Sequence, residues 1–264
     1  NIHLAYGLFQ KSLAMREKAS SMGTGASEEK DLNIASTCFS IGLVLQDLDD
    51  LEESLFYLKR SLLLREKYLG RNTIPTSDCF SAIGDVQLTL KYYPDAHDSY
   101  RAALAIERKL HGMNHSRTAT CFNNIGKVMD ATDKFDDALS YFQQSLAIRE
   151  ERLGLNHIDT ATSITCMAQI MTKMGDHIEA LEYYKTALEI HLELFGNNDT
   201  STALAYNNVA MAYCDMQSFG SALKNLDCAI DIYDKKLGKS HPHTLVAMNS
   251  KKEIHALQDE VLTI

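Results

Sequence analysis

The chain has 264 residues, a formal net charge of −9 and 45% hydrophobic residues. That acidic balance argues against a nucleic-acid partner, which needs a basic face, and no apolar run approaches the roughly 20 residues of a membrane-spanning helix. Six cysteines without a CxxC pair, and no visible signal peptide, point to reduced thiols and an intracellular, cytoplasmic location.

The elements follow in chain order. Opening on NIHLAYG without a start methionine, the chain reads as a fragment or a processed form. Leu8 to Glu17 (LFQKSLAMRE) matches Tyr141 to Glu150 (YFQQSLAIRE), so residues 1–18 are expected to be the second helix of a partial unit. Residues 19–32 carry seven extra positions and are expected as an inserted linker. The stretch MGTGASEEK within it lacks the Gly-Lys-Ser/Thr ending of a phosphate loop and follows a helix rather than a strand. From there one pattern recurs. Gly70, Gly112, Gly154, Gly196 and Gly238 lie 42 residues apart and divide the chain into units 33–70, 71–112, 113–154, 155–196 and 197–238.

Inside the third unit, Phe122, Ile125, Gly126 and Met129 fall at i, i+3, i+4 and i+7, one face of a first helix. Ala138, Phe142, Ser145 and Leu146 mark a second helix after a short break. Small residues occupy three columns: Gly42, Gly84, Gly126, Ala168 and Ala210; Ser54, Ala96, Ala138, Ala180 and Ala222; Ser61, Ala103, Ser145, Ala187 and Ala229. Small side chains let two antiparallel helices approach closely, with large residues filling the gaps; Leu104, Leu146, Leu188 and Ile230 are the expected large partners. Gly175-Asp176 is expected to end one helix and cap the next, with Asp50 and Ser218 in the same cap column. Pro94 falls in the first turn of a second helix, where its missing N–H costs little. The 42-spaced glycines are expected to close each second helix in the left-handed conformation. Residues 239–264 form an expected capping helix, with Lys251 and Lys252 on the core column that would otherwise meet a next unit. The fold class is all-α: a solenoid of antiparallel helix pairs, five full units and a partial unit at each end.

These columns resemble the tetratricopeptide repeat, with Ala168, Ala180, Tyr184 and Ala187 in one unit and Val209-Ala210, Tyr213, Ala222, Leu226 and Ala229 in the next. The usual unit has 34 residues. The 42-residue unit here, with Leu-Gly-x-Asn-His before the first helix and Asn-Asn-(Ile/Val) within it, is similar to the kinesin light chain type. The resemblance implies a right-handed superhelix whose first helices line a concave groove that holds an extended peptide. The matching positions are Asn123, Asn124 and Lys127, then Thr165, Gln169 and Lys173, then Asn207, Asn208 and Met211. An asparagine amide both donates and accepts, so it suits a peptide backbone. Carboxylate-binding members carry a run of Lys, Arg and Asn in this groove. Here Lys127 and Lys173 stand against Asp78, Asp85, Asp130 and Asp215, so a mixed or basic peptide fits at least as well as an acidic tail.

Other features read as structure. His115, His157 and His241 share a column but sit in different repeats, without HExxH or CxxC, so they are expected to cap or pack loops rather than bind metal. Paired acids such as Asp136-Asp137 lie at helix starts, where they favour the helix dipole. No catalytic residue, metal or cofactor is expected. The function expected is a scaffold or adaptor that binds a protein or peptide segment, with Asn124 and Asn208 as main contacts and Lys127 and Lys173 as charge readers. Two alternatives stay open: an architectural subunit of a large complex held by convex or edge surfaces, and a sensor module of a larger multidomain protein. An apolar stripe along the second helices would favour the architectural role.

Overall fold

The computed structural model describes residues 2–21 and 28–262. These residues form twelve α-helices, with no strand among them. One compact unit, Asn1–Lys134, holds α1 (Ile2–Ser21), α2 (Glu28–Asp47), α3 (Leu51–Leu69), α4 (Ile74–Thr89), α5 (Tyr93–His111) and α6 (Ser116–Ala131). The other, Phe135–Ile264, holds α7 (Phe135–Leu153), α8 (Ile158–Met174), α9 (His177–Phe195), α10 (Thr200–Asp215), α11 (Phe219–Leu237) and α12 (Pro242–Leu262). Within each unit every helix packs against the next one in the chain, the arrangement of an α-solenoid of antiparallel helix pairs. Helix occupies residues 19–21 and 28–32 of the stretch expected as linker, and Glu28, Glu29 and Asp31 place negative charge in the first turn of α2. Gly23 and Gly25 lie outside the described residues.

The 42-spaced glycines have positive φ, as expected, but their ψ differs from expectation. Gly70 (φ 83°, ψ 171°), Gly112 (85°, −178°), Gly196 (74°, −176°) and Gly238 (90°, 162°) lie in a region that essentially only glycine enters, not in the left-handed helical well. That conformation turns each glycine carbonyl toward the next first helix. A threonine six residues on meets it: Thr76, Thr118, Thr160, Thr202 and Thr244 donate their hydroxyls to Gly70, Gly112, Gly154, Gly196 and Gly238 at 2.8–3.0 Å. All five threonines are fully buried. Thr160→Val keeps the shape but leaves the Gly154 carbonyl without its donor. It is expected to cost about 1–2 kcal/mol in a circular-dichroism melt, and Thr160→Ser is expected to recover most of it.

The turn inside each unit is also built from backbone. Asp50 N–H donates to the Leu45 carbonyl at 2.9 Å and Asp49 N–H to the Gln46 carbonyl at 3.0 Å, the two bonds of a Schellman motif. The left-handed residue of that motif is Asp49, Lys91, Asp133, Gly175 and Gln217 in successive units, so only one unit uses glycine there. Asp50, Asp176 and Ser218 stand at the N-cap position as expected, yet their side chains make no cap hydrogen bond. Their backbone is committed to the preceding helix, with ψ near 60° instead of the extended value that aims a cap side chain.

Close approach explains the small columns. A Cβ on Gly42 would stand 2.6 Å from Leu58, and one on Gly84 would stand 2.6 Å from the Tyr100 ring. The large partners are therefore Leu58 and Tyr100, from the column that continues as Phe142, Tyr184 and Leu226. They are not the expected Leu104 column, which sits one helical turn further along. At the far end, Lys251 on α12 pairs with Asp227 of α11 at 2.6 Å.

Candidate functional site

Each junction between a second helix and the next first helix contains one informative column: Arg65, Glu107, Arg149, His191 and Tyr233. Arg65 donates to the Pro75 carbonyl at 2.6 Å and to Cys79 Sγ at 3.4 Å. Arg149 repeats this contact two units on, to the Asp159 carbonyl at 2.7 Å and Ser163 Oγ at 2.8 Å. At position 107 the charge is reversed. The Glu107 carboxylate accepts from Arg117 Nε at 2.9 Å and Nη2 at 2.8 Å, and Nη2 also reaches Asp78. Burial alone would push the Glu107 carboxyl up; the hydrogen bonds and charge of Arg117 outweigh it and hold it below the usual carboxylate range. A guanidinium thus fills the space between helices at all three of these junctions.

Position 191 carries no guanidinium. His191 is shorter than arginine, and the neighbouring positions are Ala187 and Ala205 where the Arg149 junction has Ser145 and Ser163. A cavity of about 280 Å³ opens there between α8, α9 and α10. Thr162, Thr165, Cys166 and Gln169 line it from α8, and Ser201, Leu204, Ala205 and Asn208 from α10. Both sets have i, i+3, i+4, i+7 spacing, so one face of each first helix looks into the cleft. Tyr184, Ala187 and His191 of α9 form the floor. Leu204 remains 53% exposed at the rim.

The local sequence positions these faces. His157 and Asp199 are extended N-cap residues whose side chains accept from Asp159 N–H at 3.1 Å and Ser201 N–H at 2.8 Å, which starts α8 and α10 in register. His115 and His241 cap in the same way through Nδ1, at 3.2 and 3.3 Å. Burial pushes the His191 imidazole below its ordinary range, and the Asp199 carboxylate acts against that. Its Nδ1 is buried without a hydrogen-bond partner among the described residues.

Of the nine groove positions read from the sequence, the structure brings Thr165, Gln169 and Asn208 together in this cleft. Lys173 and Met211 lie one turn beyond, on the same helix faces, and both are exposed. Lys173 Nζ stands 5.9 Å from the Phe135 ring centre. Asn207 is half-buried beside the stripe. On α6, Lys127 is exposed, while Asn123 and Asn124 are buried. His191, Tyr184 and Leu204 were missed. Part of their signal was available at the 42-residue register: His191 stands in the column of Arg65 and Arg149, and Ala187 and Ala205 stand in the columns of Ser145 and Ser163.

Residues 31–109, 93–151, 159–213 and 202–243 match the sequence pattern described as the tetratricopeptide repeat. The chain belongs to the tetratricopeptide repeat family. Such repeats are protein-interaction modules. BtubC (BKLC) from P. vanneervenii is similar in fold, with 16% identity over 92% of this chain and 94% of that one and a TM-score of 0.74. The putative kinesin light chain of Podosopora anserina, with nearly identical TPR-like repeats, is similar at 16% identity over 76% of this chain and 96% of that one, with a TM-score of 0.63. A signal transduction ATPase with numerous domains from Pyrococcus horikoshii, which has a tetratricopeptide repeat sensor, is similar at 16% identity over 97% of this chain and 37% of that one, with a TM-score of 0.71. No curated protein matches the sequence. Among the described residues, no helix is long and apolar enough to cross a membrane.

Proposed function

We propose that the α8–α10 cleft holds an extended segment of a partner protein, and that the chain works as a non-enzymatic scaffold or adaptor. The observation that carries this reading is the convergence of two first-helix faces on one cavity. That cavity combines amide and hydroxyl groups (Thr165, Gln169, Asn208) with an exposed leucine. The amides suit a peptide backbone and the apolar walls suit its side chains. Lys173 extends the same surface, and Asn124 and Lys127 belong to the corresponding face of α6. The architectural alternative has less support. Phe56 (61% exposed) and Leu63 (68%) are apolar on the outside of α3, but the same columns become Asp98, Ser140, Glu182 and Lys224, and Ala105, Ala147, Glu189 and Asp231. Neither of these two columns forms an apolar stripe.

The test starts from a pull-down with the purified chain, with crosslinking through Lys173 to locate the bound segment. Gln169→Ala with Asn208→Ala is then expected to weaken that segment about tenfold or more, the loss of one to two hydrogen bonds. The melting temperature is expected to move little, because neither side chain is fully buried. Unchanged affinity in the double variant would sink the reading.

A further inference from the structure

This inference rests on the cleft reading above and names what enters the cleft. The structure supplies an internal template. At the Arg149 junction a guanidinium bonds the carbonyl of the second residue of α8 and a hydroxyl one turn on. At the Arg65 junction the same geometry uses Pro75, the second residue of α4, and a thiol. The corresponding groups beyond His191 are the Ser201 carbonyl and the side chain of Ala205, which offers no acceptor. In place of that acceptor the junction offers the Asp199 carboxylate, whose Oδ1 lies 2.8 Å from the Ser201 backbone nitrogen. Asp199 occupies the N-cap column that holds His115, His157 and His241 elsewhere, so this junction alone among these four has a negative charge there.

We propose that the cleft takes an arginine side chain of the partner segment, whose guanidinium stands where Arg65 and Arg149 place their own and bonds the Ser201 carbonyl and the Asp199 carboxylate. The route is open from the first-helix side, between the Thr162–Gln169 and Ser201–Asn208 faces, and the apolar walls fit the methylene stem. A planar fork meets separated acceptors in a way that the compact, strongly hydrated ammonium of lysine does not. The net charge of −9 favours a cationic partner at longer range.

The probe is a display library of random 12-residue peptides panned on the full chain. Cleft binders are those lost with Gln169→Ala and Asn208→Ala. They are expected to share an arginine. Changing it to lysine or to the uncharged isostere citrulline is expected to weaken binding about tenfold. His191→Arg installs the internal plug of the other junctions and is expected to abolish uptake of these peptides while melting no lower than the parent. Asp199→Asn keeps an acceptor for the Ser201 N–H, so it is expected to fold, and weakens the same peptides severalfold. Cleft binders indifferent to arginine, or insensitive to both substitutions, would overturn the arginine assignment and leave the groove reading standing. A panning that returns no peptide sensitive to the Gln169 and Asn208 pair would overturn the groove reading, and the arginine assignment with it.

Discussion

Replacing Arg117 with methionine is expected to destabilise the protein by about 2–3 kcal/mol. The cause is what remains behind: Glu107, whose side chain is 1% exposed, keeps a carboxylate with no guanidinium to meet it. Removing one partner of a buried ion pair costs about 3–5 kcal/mol. The lower range applies here because the Arg117 side chain is itself 37% exposed and water screens part of the attraction. The pair also has a pH signature. Folding lowers the Glu107 pKa, so its contribution is complete above the unfolded carboxyl value and is lost as pH falls through the lower, folded value. Urea titrations followed by circular dichroism below about pH 4.5 are therefore expected to show a steep loss in the parent and a flatter one in Arg117→Met. The chain contains its own control. The same two columns carry Arg149 and Asp159 one unit later, with the charges exchanged. Glu107→Arg combined with Arg117→Asp is expected to recover more stability than either change alone. A double variant no better than the single ones would show that the two columns are not coupled.

Gly196→Ala is the second large effect, at about 2–3 kcal/mol. A Cβ at Gly196 would meet nothing within 4 Å, so crowding contributes no part of the cost. The whole penalty is backbone strain at φ 74°, ψ −176°, a conformation that also aims the Gly196 carbonyl at the Thr202 hydroxyl. Gly175 is the comparison. It too is open on the Cβ side, but at φ 90°, ψ 4° it occupies the left-handed well. Asp49, Lys91, Asp133 and Gln217 take positive φ in the same column of other units. Gly175→Ala is accordingly expected to cost about 1 kcal/mol, and Lys91→Gly to gain a few tenths to 1 kcal/mol. Thermal melts of the three variants that fail to rank them in this order would refute the assignment of the two glycine classes.

Much of the architecture follows from residues visible in the chain. A 42-residue interval of glycines, small-residue columns and i, i+3, i+4, i+7 faces implies helix pairs that stack, because each pair must bury a face that it cannot cover alone. The threonine column was equally periodic and escaped notice. A polar residue in a first turn has no signature until the carbonyl it meets is located in space. The N-cap reading of Asp50, Asp176 and Ser218 placed those residues correctly and their bonds wrongly. Side-chain capping depends on a ψ that the preceding Schellman turn had already set.

The cleft divides in the same way. Thr165, Gln169 and Asn208 were identifiable from the repeat register, because register alone decides which residues of successive first helices share a face. Register does not decide how much of that face packing consumes. Asn123 is buried on α6, whereas Thr165 in the same column of α8 is only half-buried and lines the cleft. Nor does it reveal an opening, which needs three elements to fall short together: a histidine in an arginine column on α9, an alanine beside it, and an alanine opposite on α10. Periodicity along one chain determined the helices, their order and their faces. The void at His191 was decided only by tertiary packing, because empty space is a property of what several side chains jointly fail to reach.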